Sequence, residues 1–188
     1  MEKNRCPWVG TDPLYQEYHD YEWGIPQHND QKLFEAVILD GFQAGLSWIT
    51  ILRKRENFRK AFDQFDAHKI AAYDETKLEN LMLDAGIIRN RAKIWASVGN
   101  AKAYLAVQQE FGSFDKYIWS FTGHKTIQRN PKTIKDYIAS CPESDAMAKD
   151  MKKRGFKFCG TTICYAFMQA VGIINDHTVD CHCHPNQS

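Results

Sequence analysis

The sequence predicts an all-α protein with an N-terminal and a C-terminal lobe around a middle segment of roughly residues 65 to 112. Three observations carry this reading. Apolar residues recur at helical spacing along most of the chain, alternating strand-like patterns are scarce, and helix caps and glycine stops punctuate the periodic runs.

The run "DQKLFEAVILDGFQAGLSWITILRKRENFRKAF" opens with Asn29 or Asp30 as N-cap and divides near Gly41 to Gly45, giving two helices with a tight junction. In "DETKLENLMLDAG", Asp74 caps a helix that Gly86 stops, and "RNRAKIWASVGNAKAYLAVQQEFG" reads as a long amphipathic helix ending at Gly112. The stretches "SFDKYIWSF", "ESDAMAKDMKKRG" and "TTICYAFMQAVG" give three further helices. "TGHKTIQRNPKTIKDYIASCPE" is polar, contains proline and reads as a loop.

Composition narrows the function classes. With 188 residues and 44% hydrophobic content the chain can bury one compact core or two small lobes sharing one. The N-terminus lacks an apolar signal core and no stretch approaches the ~18 apolar residues of a membrane span, so no membrane role and a cytosolic location are expected. In a reducing compartment the six scattered cysteines read as free thiols or metal ligands. A formal charge of +1 gives no global signal for nucleic acid, although "LRKRENFRK" and "KDMKKRGFKFCG" concentrate cations that a solvated helix face explains equally well.

Four motifs carry chemistry. The tail "NDHTVDCHCHPNQS" gathers His177, Cys181, His182, Cys183 and His184. His177 and Cys181 can bind one ion from a short turn, with Cys6 and His19 completing a Cys₂His₂ set, and a rival set uses Cys181, Cys183 and a neighbouring histidine. In "LMLDAGIIRNRAKI", a Gly86 turn precedes a helix beginning with Arg89 and Arg91. That arrangement can offer backbone N–H groups and two cations to a phosphate, and equally suits an ordinary αα-hairpin. "DGFQAGLSW" crowds Asp40 and Trp48 at a helix junction, either as a pocket for a flat cationic ligand or as a cap and a core residue. "PLYQEYHDYEWG" adds Tyr15, Tyr18, Tyr21 and Trp23, a base-stacking site or a packed aromatic core.

Together, the blocks "DPLYQEYHDYEWG", "QAGLSWITILRKRENFRKAF", "DAGIIRNRAKI", "KRGFKFCGTTICYAFMQAVGIINDH" and the cysteine-containing tail resemble the DNA-3-methyladenine glycosylase I family over nearly the whole chain. The resemblance implies one glycosylase domain over residues 1–188, all-helical and two-lobed, with a helix-hairpin-helix element at about 75–105 and a lesion pocket between the lobes. It implies a structural zinc ion on Cys6, His19, His177 and Cys181 that fastens the chain ends together, with His182, Cys183 and His184 outside the set.

It further implies double-stranded DNA with alkylated bases as partner and removal of 3-methyladenine by base flipping and hydrolysis, leaving an abasic site. By the same resemblance, Trp48 is expected to stack on the base, and Tyr18 and the acidic Asp40 to contact it. Leu46 is the candidate wedge into the gap, and Gly86, Arg89 and Arg91 grip the backbone. Two positions depart from the family: Asp40 stands where it has Glu, and Phe42 where it has Gln. No acid follows the hairpin before Glu110, and no lysine Schiff-base step is expected.

Overall fold

The computed structural model describes residues 3–187. Nine helices are present among them: α1 (Pro13–Tyr21), α2 (Asp30–Gln43), α3 (Trp48–Ala61), α4 (Ala67–Ala71), α5 (Glu75–Leu83), α6 (Arg91–Phe111), α7 (Phe114–Ser120), α8 (Pro142–Lys153) and α9 (Thr161–Ala170). Two-residue strands β1 (Ile127–Gln128) and β2 (Ile174–Asn175) pair in parallel.

The caps act as read. Asn29 Oδ1 accepts from the Lys32 N–H and Asp74 Oδ1 from the Lys77 N–H, while Gly112 takes a φ of 83° that ends α6. Two helices escape the periodicity reading. α1 is announced only by Asp12 as N-cap with Pro13 at the first helical position, and α4 is five residues long. α2 runs through Gly41 and Phe42 before it breaks, so Asp40 belongs to a helix body and caps nothing.

α2 is apolar on most of its circumference and packs against α3, α6, α7 and α9, which makes it the centre of the main core. A smaller cluster of Cys6, Val9, Tyr18, Trp23, Leu52 and Cys181 lies under the two chain ends. Trp48 packs against both clusters, so the seam between them falls at the α2–α3 junction.

The expected loop at 122–143 is more ordered than its polar composition suggests. Ile127 pairs with Ile174, the Val179 N–H donates to Pro131 O at 3.0 Å, and a 3₁₀ turn over Ile134–Asp136 is closed by a Thr133–Asp136 capping box. The first two of these link residues more than 40 positions apart, which local sequence does not reveal.

Gly172, after α9, has φ +74° and touches the 25–26 segment. A Cβ there would lie 2.4 Å from Ile25 C and Pro26 N. Gly172→Ala is therefore expected to lower stability by about 2–3 kcal/mol, or roughly 4–12 °C in melting temperature, because backbone rather than a flexible side chain must yield. Calorimetry checks this, and an unchanged melting point would contradict the close approach.

Candidate functional site

At the seam lies a cavity of about 270 Å³ whose walls include Trp8, Tyr15, Tyr18, Trp23, Trp48 and Tyr137. The rings brace one another: Trp8 meets Trp23 at 4.8 Å between centroids and Tyr15 at 5.0 Å, and Tyr18 meets Trp48 at 5.6 Å. Asp40 reaches the cavity from α2. It is 2% exposed with no cation beside it, and burial alone raises its carboxyl pKa well above the usual range. Burial, then the neighbouring Asp40, raises the Tyr18 phenol in the same way.

Three buried side-chain atoms among the described residues have no hydrogen-bond partner within the protein: Asp40 Oδ2, Trp48 Nε1 and Tyr137 Oη. All three belong to residues lining this one cavity. An unsatisfied buried polar atom costs ~1–3 kcal/mol, so three converging on one aromatic cavity mark a binding site for a flat polar ligand.

The family resemblance implies that Asp40, Tyr18 and Trp48 work together, and the structure brings all three to the cavity. Leu46, 39% exposed, lies in the turn just beyond it, where Gln43 Nε2 donates to Leu46 O at 2.7 Å. Phe42 faces the other way, packing on Phe58 at 4.8 Å and Phe62 at 5.8 Å, so its departure from the family pattern alters the core and leaves the cavity wall untouched. Tyr21 is 66% exposed and is not on the cavity wall. Trp8 and Tyr137 were missed. Trp8 lay beside the ligand candidate Cys6, and Tyr137 had no local signal.

The hairpin forms between α5 and α6, but its chemistry differs from expectation in two respects. The Gly86 N–H is occupied by Asp84 Oδ1 at 2.7 Å, so it is not presented outward. The helix begins at Arg91 after the N-cap Asn90, and Arg91 is engaged with Glu79 at 2.7 Å and lies 3.9 Å over the Trp95 ring, whereas Arg89 is exposed. The hairpin is fastened to the cavity elements from two sides. Lys54 Nζ of α3 donates to Ala85 O at 3.0 Å, and the buried Lys93 Nζ donates to Phe42 O at 2.9 Å and Ala44 O at 2.7 Å.

Beneath the cavity, Cys6, His19, His177 and Cys181 meet, all buried, with ligand atoms within 4.8 Å of one another. Cys6 Sγ is 3.5 Å from His177 Nδ1, and Cys181 Sγ is 3.4 Å from His19 Nε2 and 3.5 Å from His177 Nδ1. The far nitrogens are committed to acceptors: His19 Nδ1 lies 2.9 Å from Asp20 Oδ1, and His177 Nε2 lies 3.1 Å from Trp23 O. Each ring thus turns a lone pair toward the thiols, the tautomer a metal ligand needs. Burial would raise the Asp20 carboxyl, but bonds from Arg5, His19 and Lys3 hold it well below the usual carboxylate range. The group can hold a metal ion. The rival group of Cys181, His182 and Cys183 also comes together but is only partly buried, and His184 is taken up with Asn130 at 2.9 Å.

The methyladenine glycosylase family model matches residues 8–184. The DNA-3-methyladenine glycosylase 1 of Escherichia coli is 54% identical over 181 residues, spanning 96% of this chain and 97% of that protein. A crystal structure of a 3-methyladenine DNA glycosylase I superposes with a TM-score of 0.94 at 53% identity, over 97% of this chain and 100% of that one. The Staphylococcus aureus 3-methyladenine DNA glycosylase I, solved to explain 3-methyladenine recognition, superposes with a TM-score of 0.93 at 34% identity, over 99% and 97% of the two chains. The match to the family model, the sequence identity and the shared fold, each over nearly the full length, place the chain in the methyladenine glycosylase family.

Proposed function

We propose that this chain is a monofunctional glycosylase that removes 3-methyladenine from alkylated double-stranded DNA and leaves an abasic site. The observation that carries the reading is the convergence of three unpartnered polar atoms, from Asp40, Trp48 and Tyr137, on one aromatic cavity.

Methylation at N3 puts positive charge on adenine and weakens the glycosidic bond, so the protein has to extract, hold and position a base that already leaves readily. Trp48 and Tyr18 supply ring faces for the cationic base. Asp40 supplies a carboxyl that becomes an acceptor for the base edge and, ionised, stabilises its charge. Leu46 occupies the gap in the stack, and water attacks the oxocarbenium-like sugar carbon. In α6 no acid precedes Glu110, so the attack proceeds without the post-hairpin carboxylate.

The elements α5 and α6 form the helix-hairpin-helix within a single glycosylase domain, and the exposed Arg89 holds phosphate, joined by Arg91 once it leaves Glu79, while the Gly86 N–H, closed by Asp84, takes no part. Arg89→Ala is expected to weaken damaged and undamaged duplex alike and to reduce the slope of log affinity against log salt by about 1. Arg91→Ala has a smaller effect, because Arg91 must first give up Glu79. Salt titrations by fluorescence anisotropy read both, and a loss confined to lesion DNA would contradict the hairpin assignment.

The ion suited to the Cys₂His₂ group is zinc. A tetrahedron with Zn–S near 2.3 Å and Zn–N near 2.05 Å has S···N edges of about 3.6 Å, close to the 3.4–3.5 Å separations present. Held by Cys6, His19, His177 and Cys181, zinc would tie the N-terminal segment and α1 to the C-terminal tail in a structural role.

Chromatography of bases released from methylated DNA, with the strand checked for intactness, tests the function. Release of 3-methyladenine with an uncut abasic strand is expected. Binding without release would make the chain a damage-recognition protein.

A further inference from the structure

We propose that the Tyr137 hydroxyl is a further specificity-determining contact to the extracted base, a hydrogen-bonding group delivered to the cavity by the segment between β1 and α8. The proposal rests on the glycosylase reading above and names a residue far in sequence from Tyr18, Asp40 and Trp48.

The hydroxyl is shielded from solvent, has no partner within the protein, and belongs to a ring that lines the cavity shared with the other two unpartnered atoms. The Cys6 thiol and the Trp8 indole are its polar neighbours, and neither meets it in hydrogen-bond geometry. Cys6 Sγ already has His177 and the Thr178 N–H around it. A buried phenol left without a hydrogen-bond partner is destabilising unless a ligand completes it.

Its position is also fixed. The Lys132 and Thr133 N–H groups donate to Asp136 Oδ2 at 2.9 and 2.7 Å, and Asn130 Oδ1 lies 2.9 Å from the buried His184. With β1 paired to β2 just before it, the segment presents Tyr137 from a braced turn, and Ile134 of the same turn lines the cavity beside it. A phenol is a neutral hydroxyl at ordinary pH, one that both donates and accepts. An adenine edge offers an amino donor next to a ring-nitrogen acceptor, which such a hydroxyl can serve in either direction.

Tyr137→Phe keeps the ring and removes only the oxygen. With zinc-loaded protein, titration of free 3-methyladenine followed by tryptophan fluorescence is expected to show affinity about five- to tenfold weaker than wild type. Single-turnover release from alkylated DNA should fall by a similar factor. Affinity for duplex carrying an abasic site, which has no base to contact, and the zinc content should stay at wild-type values. Equal base affinity in the two proteins would overturn the proposal while leaving the glycosylase reading intact. A loss of base affinity accompanied by loss of zinc or of abasic-site affinity would also overturn it, assigning the hydroxyl to the Cys6 side of the wall. A wild-type protein that releases no 3-methyladenine would bring down the reading and the proposal together.

Discussion

Asp40→Asn is expected to slow single-turnover release of 3-methyladenine at least ~10-fold while raising the melting temperature. The carboxyl is 2% exposed, with Tyr18 and Cys164 as uncharged neighbours whose own pKa values are raised, burial being the first cause in each. Its folded pKa is therefore raised, and the folded chain keeps a proton that the unfolded chain loses above about pH 3.9. Any penalty from this carboxyl is absent below that pH and grows as pH rises toward the folded pKa. Asparagine removes the penalty, which is why stability should increase.

Function runs the other way. A cationic base favours the ionised carboxylate, so wild-type excision should rise with pH up to the folded pKa of Asp40, whereas the Asn variant should lack this rise. Asp40→Glu, one methylene or about 1.5 Å longer, should retain or raise the rate. Equal rates for wild type and Asp40→Asn would remove Asp40 from the site.

Removing the metal, or one of its ligands by Cys181→Ala, is expected to lower stability by on the order of 5 kcal/mol, roughly 10–20 °C in melting temperature. The chain ends are joined there through groups that are almost completely buried: Cys6 and His177 are 2% exposed, His19 and Cys181 0%. Without the ion, two thiols and two imidazoles face one another with no shared partner. Base release per folded molecule should remain largely intact, because the ion polarises no reactant. Cys183→Ser, outside the set, should change the melting point little. Metal analysis and chelator titration with thermal unfolding decide this, and protein that holds no metal, or loses it without a change in melting point, would remove the clasp.

The sequence by itself determined the local elements. The caps Asn29 and Asp74 and the stop at Gly112 act within a few residues of where they are written, and so do the apolar stripes of α2 and α9. Asp40 and Trp48 were legible because a short helix junction confines both. The pairing of Cys6 and His19 with His177 and Cys181 was one choice among several from spacing, and the family resemblance selected it.

Only the tertiary structure decided the rest. Tyr137 reaches the cavity through a parallel β1–β2 pair and bonds to the chain end, contacts with no sequence-local trace. Arg91 is tied to Glu79, and the Gly86 N–H is closed by Asp84, so the hairpin's free charge lies at Arg89. The three unpartnered atoms could not be read from residue type at all. Whether a buried polar atom is satisfied depends on every neighbour the fold brings within hydrogen-bond reach, and that set exists only once the helices have packed around the cavity.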